Sequence, residues 1–155
     1  MTAVSSITMR PARRDDVGII VGMLADDPLG RAREQLEEPL PPCYFRAFEA
    51  LEQASNIQLV VAEEGGAVVG CLQLCILPGL SSQGASRGLI EDVRVATHCR
   101  SRGIGEQLVQ WAVAEARGKG CKLVELLTHS SRVDAQRFYV RLGFQPSHVG
   151  MTLRF

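Results

Sequence analysis

The stretch Val93-Arg94-Val95-Ala96-Thr97-His98-Cys99-Arg100-Ser101-Arg102-Gly103-Ile104-Gly105 decides the reading of this chain. A β-rich run ends at Val95, a basic loop follows, and an amphipathic helix opens at Ile104. The first turn of a helix leaves backbone N–H groups unpaired, and its aligned dipoles carry roughly half a positive charge. Gly103 and Gly105 remove the Cβ atoms that would hold a phosphate away from those amides. Arg100 and Arg102 add fixed positive charge and paired donors. Together these parts make an anion cradle suited to a pyrophosphate. Close helix–strand packing alone would account for the glycines, but it has no need of R-x-x-G-x-G.

Downstream, Ile104, Leu108, Trp111, Ala112 and Glu115 share one side of a helix over 104–117, ended by Gly118 and Gly120. Residues 122–128 read as a strand. Residues 134–142 read as a helix with Ala135, Phe138, Tyr139 and Leu142 at i, i+3, i+4 and i+7. Two closing strands are expected within 144–155, around Gly150. Upstream, 57–63 and 68–77 form a hairpin through Gly65-Gly66. A Gly/Ser loop over 78–88 precedes the strand over 89–95. A first strand is expected at 6–10 and helices at 17–25, 31–38 and 44–54, with Asp26-Asp27-Pro28 stopping the first of these. The order predicts one mixed α/β domain spanning residues 1–155.

Composition fits that picture: 155 residues, 46% hydrophobic, with 17 basic residues against 17 acidic ones. Zero net charge argues against a nucleic-acid partner, which demands a basic excess. No apolar run reaches the ~18 residues of a membrane span, and residues 1–16 lack a secretory core. Five cysteines without a CxxC pair support neither a zinc site nor a disulfide framework. A cytoplasmic protein without a metal is expected. A dinucleotide fold shares the strand–GxG–helix order, but the third fingerprint glycine is Leu108 and Glu125 sits inside its strand.

The cradle resembles the acetyl-CoA signature of the GNAT superfamily of N-acetyltransferases, V-x-x-x-x-Q/R-x-x-G-x-G/A, with Val95 and Arg100 through Gly105 in its places. Ala135-Gln136-Arg137-Phe138-Tyr139-Val140-Arg141-Leu142-Gly143-Phe144 is similar to the family's late A-x-x-F-Y-x-x-x-G-F element. The V-V-G before Cys71 is similar to its third strand, so the resemblance spans essentially the whole chain. It implies a mixed central sheet splayed between strands 4 and 5, with the pantetheine arm of acetyl-CoA in the gap.

At the residue level, the resemblance implies that backbone groups of the strand Val93-Arg94-Val95 flank that arm, one N–H being aimed at the thioester carbonyl. Amides of Arg100, Ser101, Arg102, Gly103, Ile104, Gly105 and Glu106 would hold the pyrophosphate. Tyr139 matches the general acid for the departing thiolate. Thiol acidity of ~8.5 against ~10 for phenol makes full proton transfer uphill by roughly 2 kcal/mol, so hydrogen bonding counts at least as much. An alkylammonium near pKa ~10.4 needs about 4–5 kcal/mol to give free amine at neutral pH, so a base is expected. Glu91 is favoured, acting through water, and strict strand alternation puts it with Val93 and Val95, and Asp92 with Arg94. Glu125 is the reserve, and some members of the family use no dedicated base. Arg132 stands where the family often has an asparagine. The expected activity is acetyl transfer from acetyl-CoA to a primary amine of a small molecule or peptide, by direct attack in a ternary complex. An acyl-CoA sensor of the same fold is the alternative, and a homodimer is compatible with the resemblance.

Overall fold

A computed structural model describes residues 6–155. Five strands, β1 (Thr8–Pro11), β2 (Ile57–Glu64), β3 (Ala67–Leu77), β4 (Arg87–Val95) and β5 (Leu123–Leu126), form one sheet in sequence order. The first four run antiparallel to their neighbours, and β5 runs parallel to β4. The β2–β3 turn needs two consecutive left-handed residues, which Gly65 (φ 57°) and Gly66 (φ 84°) supply.

Helices α1 (Val17–Leu24), α2 (Pro28–Arg31) and α3 (Pro42–Gln53) precede the hairpin. A single turn, α4 (Ser81–Gly84), lies before β4, and α5 (Ile104–Gly118) and α6 (Val133–Arg141) flank β5. The apolar stripe of α5 is fully covered: Ile104, Leu108, Val109, Ala112 and Ala116 pack on Leu72, Leu74 and Ile90 of the sheet. Each buried Ile, Leu or Val among them contributes about 1.5–3 kcal/mol on burial, and the alanines less. On the other face, Ile20 and Met23 of α1 meet Val61, Val68 and Cys71. The sheet is therefore a filled layer between two helical layers.

Three expectations are corrected. The second helix lies at Pro28–Arg31 rather than 31–38. Asp27 caps it by accepting from the Gly30 N–H (2.6 Å), with Pro28 at the first position, and Tyr44 holds the following chain through Glu34 and Gln35. The closing strands over 144–155 do not form, because no strand edge of the described chain pairs with that segment. The alternation along β4 is broken by a bulge. Cys71 pairs with Arg94 and Gln73 with Glu91, so Leu72 stands opposite both Asp92 and Val93. Asp92 adopts φ 52° there. The extra residue moves Glu91 onto the face of Arg94, while Val93 and Val95 pack toward α5.

β4 and β5 pair over Arg87–Ile90 only. Beyond Ile90 the two strands separate, and that gap is the origin of the site.

Candidate active site

The gap opens into a cleft of about 1200 Å³ lined by residues from β4, the α5 entry, the end of β5 and α6. Three groups of residues define it.

The first is the mouth of α5. Gly103 precedes the helix at φ 78°, and Ser101 is also left-handed at φ 62°. The amide of Arg100 bonds to Thr97 O (3.3 Å), whereas those of residues 101–106 find no acceptor in the described chain. Six consecutive N–H groups are thus available to an anion. A Cβ built on Gly105 would stand 3.5 Å from Phe138 and 3.6 Å from Val95, ordinary contact distances, so packing does not demand glycine there. These residues fit a pyrophosphate. Both arginines are committed elsewhere: Arg102 makes a two-point bond to Glu64, and Arg100 reaches Asp26 (3.1 Å) and Val95 O (3.3 Å). They fix the loop's shape, and the amides remain the free donors.

The second group surrounds Tyr139. Its ring packs edge-on against Phe138 and Phe144, half within the main core. Burial pushes the phenol pKa up, and Arg94 and Arg132 pull it partly back, leaving it above the ordinary value and the hydroxyl protonated. The packed ring is at the same time part of the cleft's lining.

The third group was only half visible in sequence. Asp27 accepts from Arg132 Nη2 at 2.6 Å and lies 3.8 Å from Arg94 Nη2. Burial pushes the Asp27 carboxyl up, but the Gly30 amide and the two guanidiniums outweigh it, so its pKa falls below the usual range. Arg94 Nε is buried with no partner. One carboxylate between two arginines leaves net positive charge beside Tyr139, and Arg33 and Arg154 also line the cleft. The D-D-P sequence signals a helix stop, not the two cations Asp27 gathers.

Val93, Arg94, Val95, Ser101, Gly103, Ile104, Gly105, Glu106 and Tyr139 all line the cleft, together with Asp92 and Arg132. Glu91 does not. It is exposed on the α1 side of the sheet, accepting from Gln73 Nε2 at 3.1 Å. Glu125 pairs with Arg87 (2.7 Å), outside the cleft. Cys99 is buried, and no group of three metal-ligating side chains occurs among the described residues.

A model of the acetyltransferase (GNAT) family matches residues 25–144, which include all of the cleft's lining but Met23 and Arg154. The chain belongs to the GNAT acetyltransferase family. An aminoalkylphosphonate N-acetyltransferase from Salmonella typhimurium is 38% identical to this acetyltransferase over 120 residues, 77% of either chain. Glucosamine 6-phosphate N-acetyltransferase 1 of Oryza sativa subsp. japonica is 38% identical over 68 residues, 44% of this chain and 39% of that one. A solved structure described as a transcriptional regulator from Bacillus halodurans C-125 is 46% identical, with TM-score 0.94 over 97% of this chain and 100% of that one. The acetyltransferase thus has the splayed mixed sheet of its family. No described helix is long and apolar enough to cross a membrane.

Proposed function

We propose that this enzyme transfers the acetyl group of acetyl-CoA to the primary amine of a small acceptor that also carries an anionic group. The observation that carries the acceptor class is the Arg94–Asp27–Arg132 cluster, with a buried, unpartnered Arg94 Nε beside Tyr139. A buried donor without an acceptor costs about 1–3 kcal/mol, which an anionic oxygen would relieve. The Salmonella and rice relatives carry names that specify phosphonate- or phosphate-bearing amines, which supports the same class.

Acetyl-CoA supplies the activated acyl group. Amides of residues 101–106 bind and orient its pyrophosphate, and the backbone of Val93 and Val95 flanks the arm leading to the reacting centre. Tyr139, kept neutral by burial, donates its proton in a hydrogen bond to the leaving sulfur. Glu91 takes the amine proton through water. The bulge supports this role differently from strand alternation, since Glu91 and Arg94 share a face, so an acceptor anchored at Arg94 directs its amine along the carboxylate's side.

The test is thiol release from acetyl-CoA with matched amines, each pair differing only by a phosphonate, phosphate or carboxylate. Turnover with the anionic members and weak turnover with the neutral ones supports the reading. Acetyl-CoA binding without turnover of any amine marks a sensor instead.

A further inference from the structure

The turn between α1 and α2 carries two neighbouring carboxylates with different partners. Asp26 accepts from Thr97 Oγ1 and from Arg100 Nη2, the latter at 3.1 Å. Asp27 pairs with Arg132 Nη2 at 2.6 Å and stands 3.8 Å from Arg94 Nη2. The first carboxylate thus holds the loop that leads into the free amides of the cradle. The second holds the two arginines of the anion cluster. Asp27 lines the cleft, whereas Asp26 does not.

The turn itself is tightly tied. The Asp26 N–H donates to Met23 O at 3.3 Å, and the Arg31 N–H donates to Asp27 O at 2.8 Å. The Asp27 carboxylate also accepts from the Gly30 amide at 2.6 Å. An ideal Cβ on Gly30 would stand 1.9 Å from Leu24 O, so α2 is pressed against the last turn of α1. The link to the cradle is looser. Arg100 and Asp26 are 50% and 38% exposed, and an ion pair so open to water contributes little on its own. A ligand that fixes either end of this chain of contacts fixes the turn, and with it the other end.

We propose that Asp26 is a positioning residue through which the two substrates strengthen each other's binding. Coenzyme A held by the amides of 101–106 stills the loop that contains Thr97 and Arg100. Asp26 passes that order to the turn, and Asp27 passes it to Arg94 and Arg132. The acceptor's anion then meets arginines already in place and loses less freedom on binding. Linkage makes the effect reciprocal, so the acceptor raises coenzyme A affinity by the same factor. This inference rests on the reading of an anionic acceptor at the Arg94–Asp27–Arg132 cluster.

The full chain is titrated calorimetrically with coenzyme A, with 2-aminoethylphosphonate, and with each in the presence of the other at saturation. Without an acetyl group nothing turns over. The wild type is expected to gain at least about fivefold in affinity in both directions. Asp26→Asn keeps the size and removes the charge, and is expected to bind each ligand singly with the mutual gain abolished. Thr97→Val removes the hydroxyl and is expected to reduce the gain. Equal affinities in the wild type with and without the second ligand overturn this inference and leave the acceptor class standing. So does a gain that both variants retain in full. Failure of 2-aminoethylphosphonate to bind under either condition overturns the acceptor class as well.

Discussion

Arg94 Nη2 lies 3.8 Å from Asp27 Oδ2, while its Nε is buried without a partner. The guanidinium is held in place by one carboxylate yet keeps a donor in reserve. Replacing Arg94 with Met keeps the bulk and removes that donor. The KM for an anionic acceptor should rise about 10–100-fold, since a charged hydrogen bond contributes roughly 1.5–3 kcal/mol. Acetyl-CoA affinity, read by calorimetry, should change little, and neutral amines should be turned over as poorly as before.

Tyr139→Phe removes the hydroxyl and leaves the packed ring. The kcat should fall on the order of 10²-fold without vanishing, because hydrogen bonding to the sulfur is lost while binding and orientation stay. Glu91→Gln should lower kcat chiefly below pH ~10, where an alkylammonium is still charged, and Asp92→Asn provides the comparison. Equal pH profiles for wild type and Glu91→Gln would remove Glu91 from the reaction.

Gly103 sits at φ 78° with nothing within 4 Å of an added Cβ. Alanine there strains the backbone by roughly 1–2 kcal/mol while its Cβ meets no protein atom within 4 Å. The amides it shifts are those proposed for the pyrophosphate. The KM for acetyl-CoA should rise at least about tenfold, with the acceptor KM unchanged, in steady-state kinetics varying one substrate at a time.

Gly70 lies under β4, where an added Cβ would meet Arg94 O at 2.9 Å and Leu108 at 3.0 Å. Gly70→Ala must push β4 away from α5 at the bulge. Chemical denaturation should show a loss of about 1–3 kcal/mol, and acetyl-CoA binding should weaken in parallel.

Asp16 is buried beneath Arg10, which reaches it at 2.7 Å and also holds Glu63 at 2.7 Å. Burial pushes the carboxyl up, but Arg10 and the Arg13 amide outweigh it and its pKa ends below the ordinary value. A depressed folded pKa means stability that is complete above the unfolded value of ~3.9 and lost as pH falls through the folded value. Asp16→Asn should cost on the order of 3 kcal/mol at pH 7. Its denaturation midpoint should depend less on pH below ~4 than that of the wild type.

Much of the architecture was legible because it rests on local rules. The Gly65-Gly66 turn, the stripe from Ile104 to Ala116 and the i, i+3, i+4, i+7 set in α6 are written in neighbouring residues. The places of Gly103 and Tyr139 in the lining of one cleft followed from motif spacing. What failed was non-local. A bulge is a register relation between β3 and β4, so the face of Glu91 could not be read from β4 alone. Asp27 gathers cations from β4 and from the start of α6, residues 67 and 105 positions away, and no pattern within its own segment announces them. The closing strands failed for a similar reason: alternation over 149–155 is present, but a strand also needs an edge to join.

The short β4–β5 ladder has one more consequence. With only four residue pairs joining β5 to the rest of the sheet, the β5–α6 unit should be the first part to fluctuate open, ahead of the β2–β3 core. A molecule wedged between the strands would act as mortar in a split wall. Its binding should raise the free energy of opening of that unit far more than that of the hairpin, so nucleotide occupancy is written into the breathing of the molecule's C-terminal third.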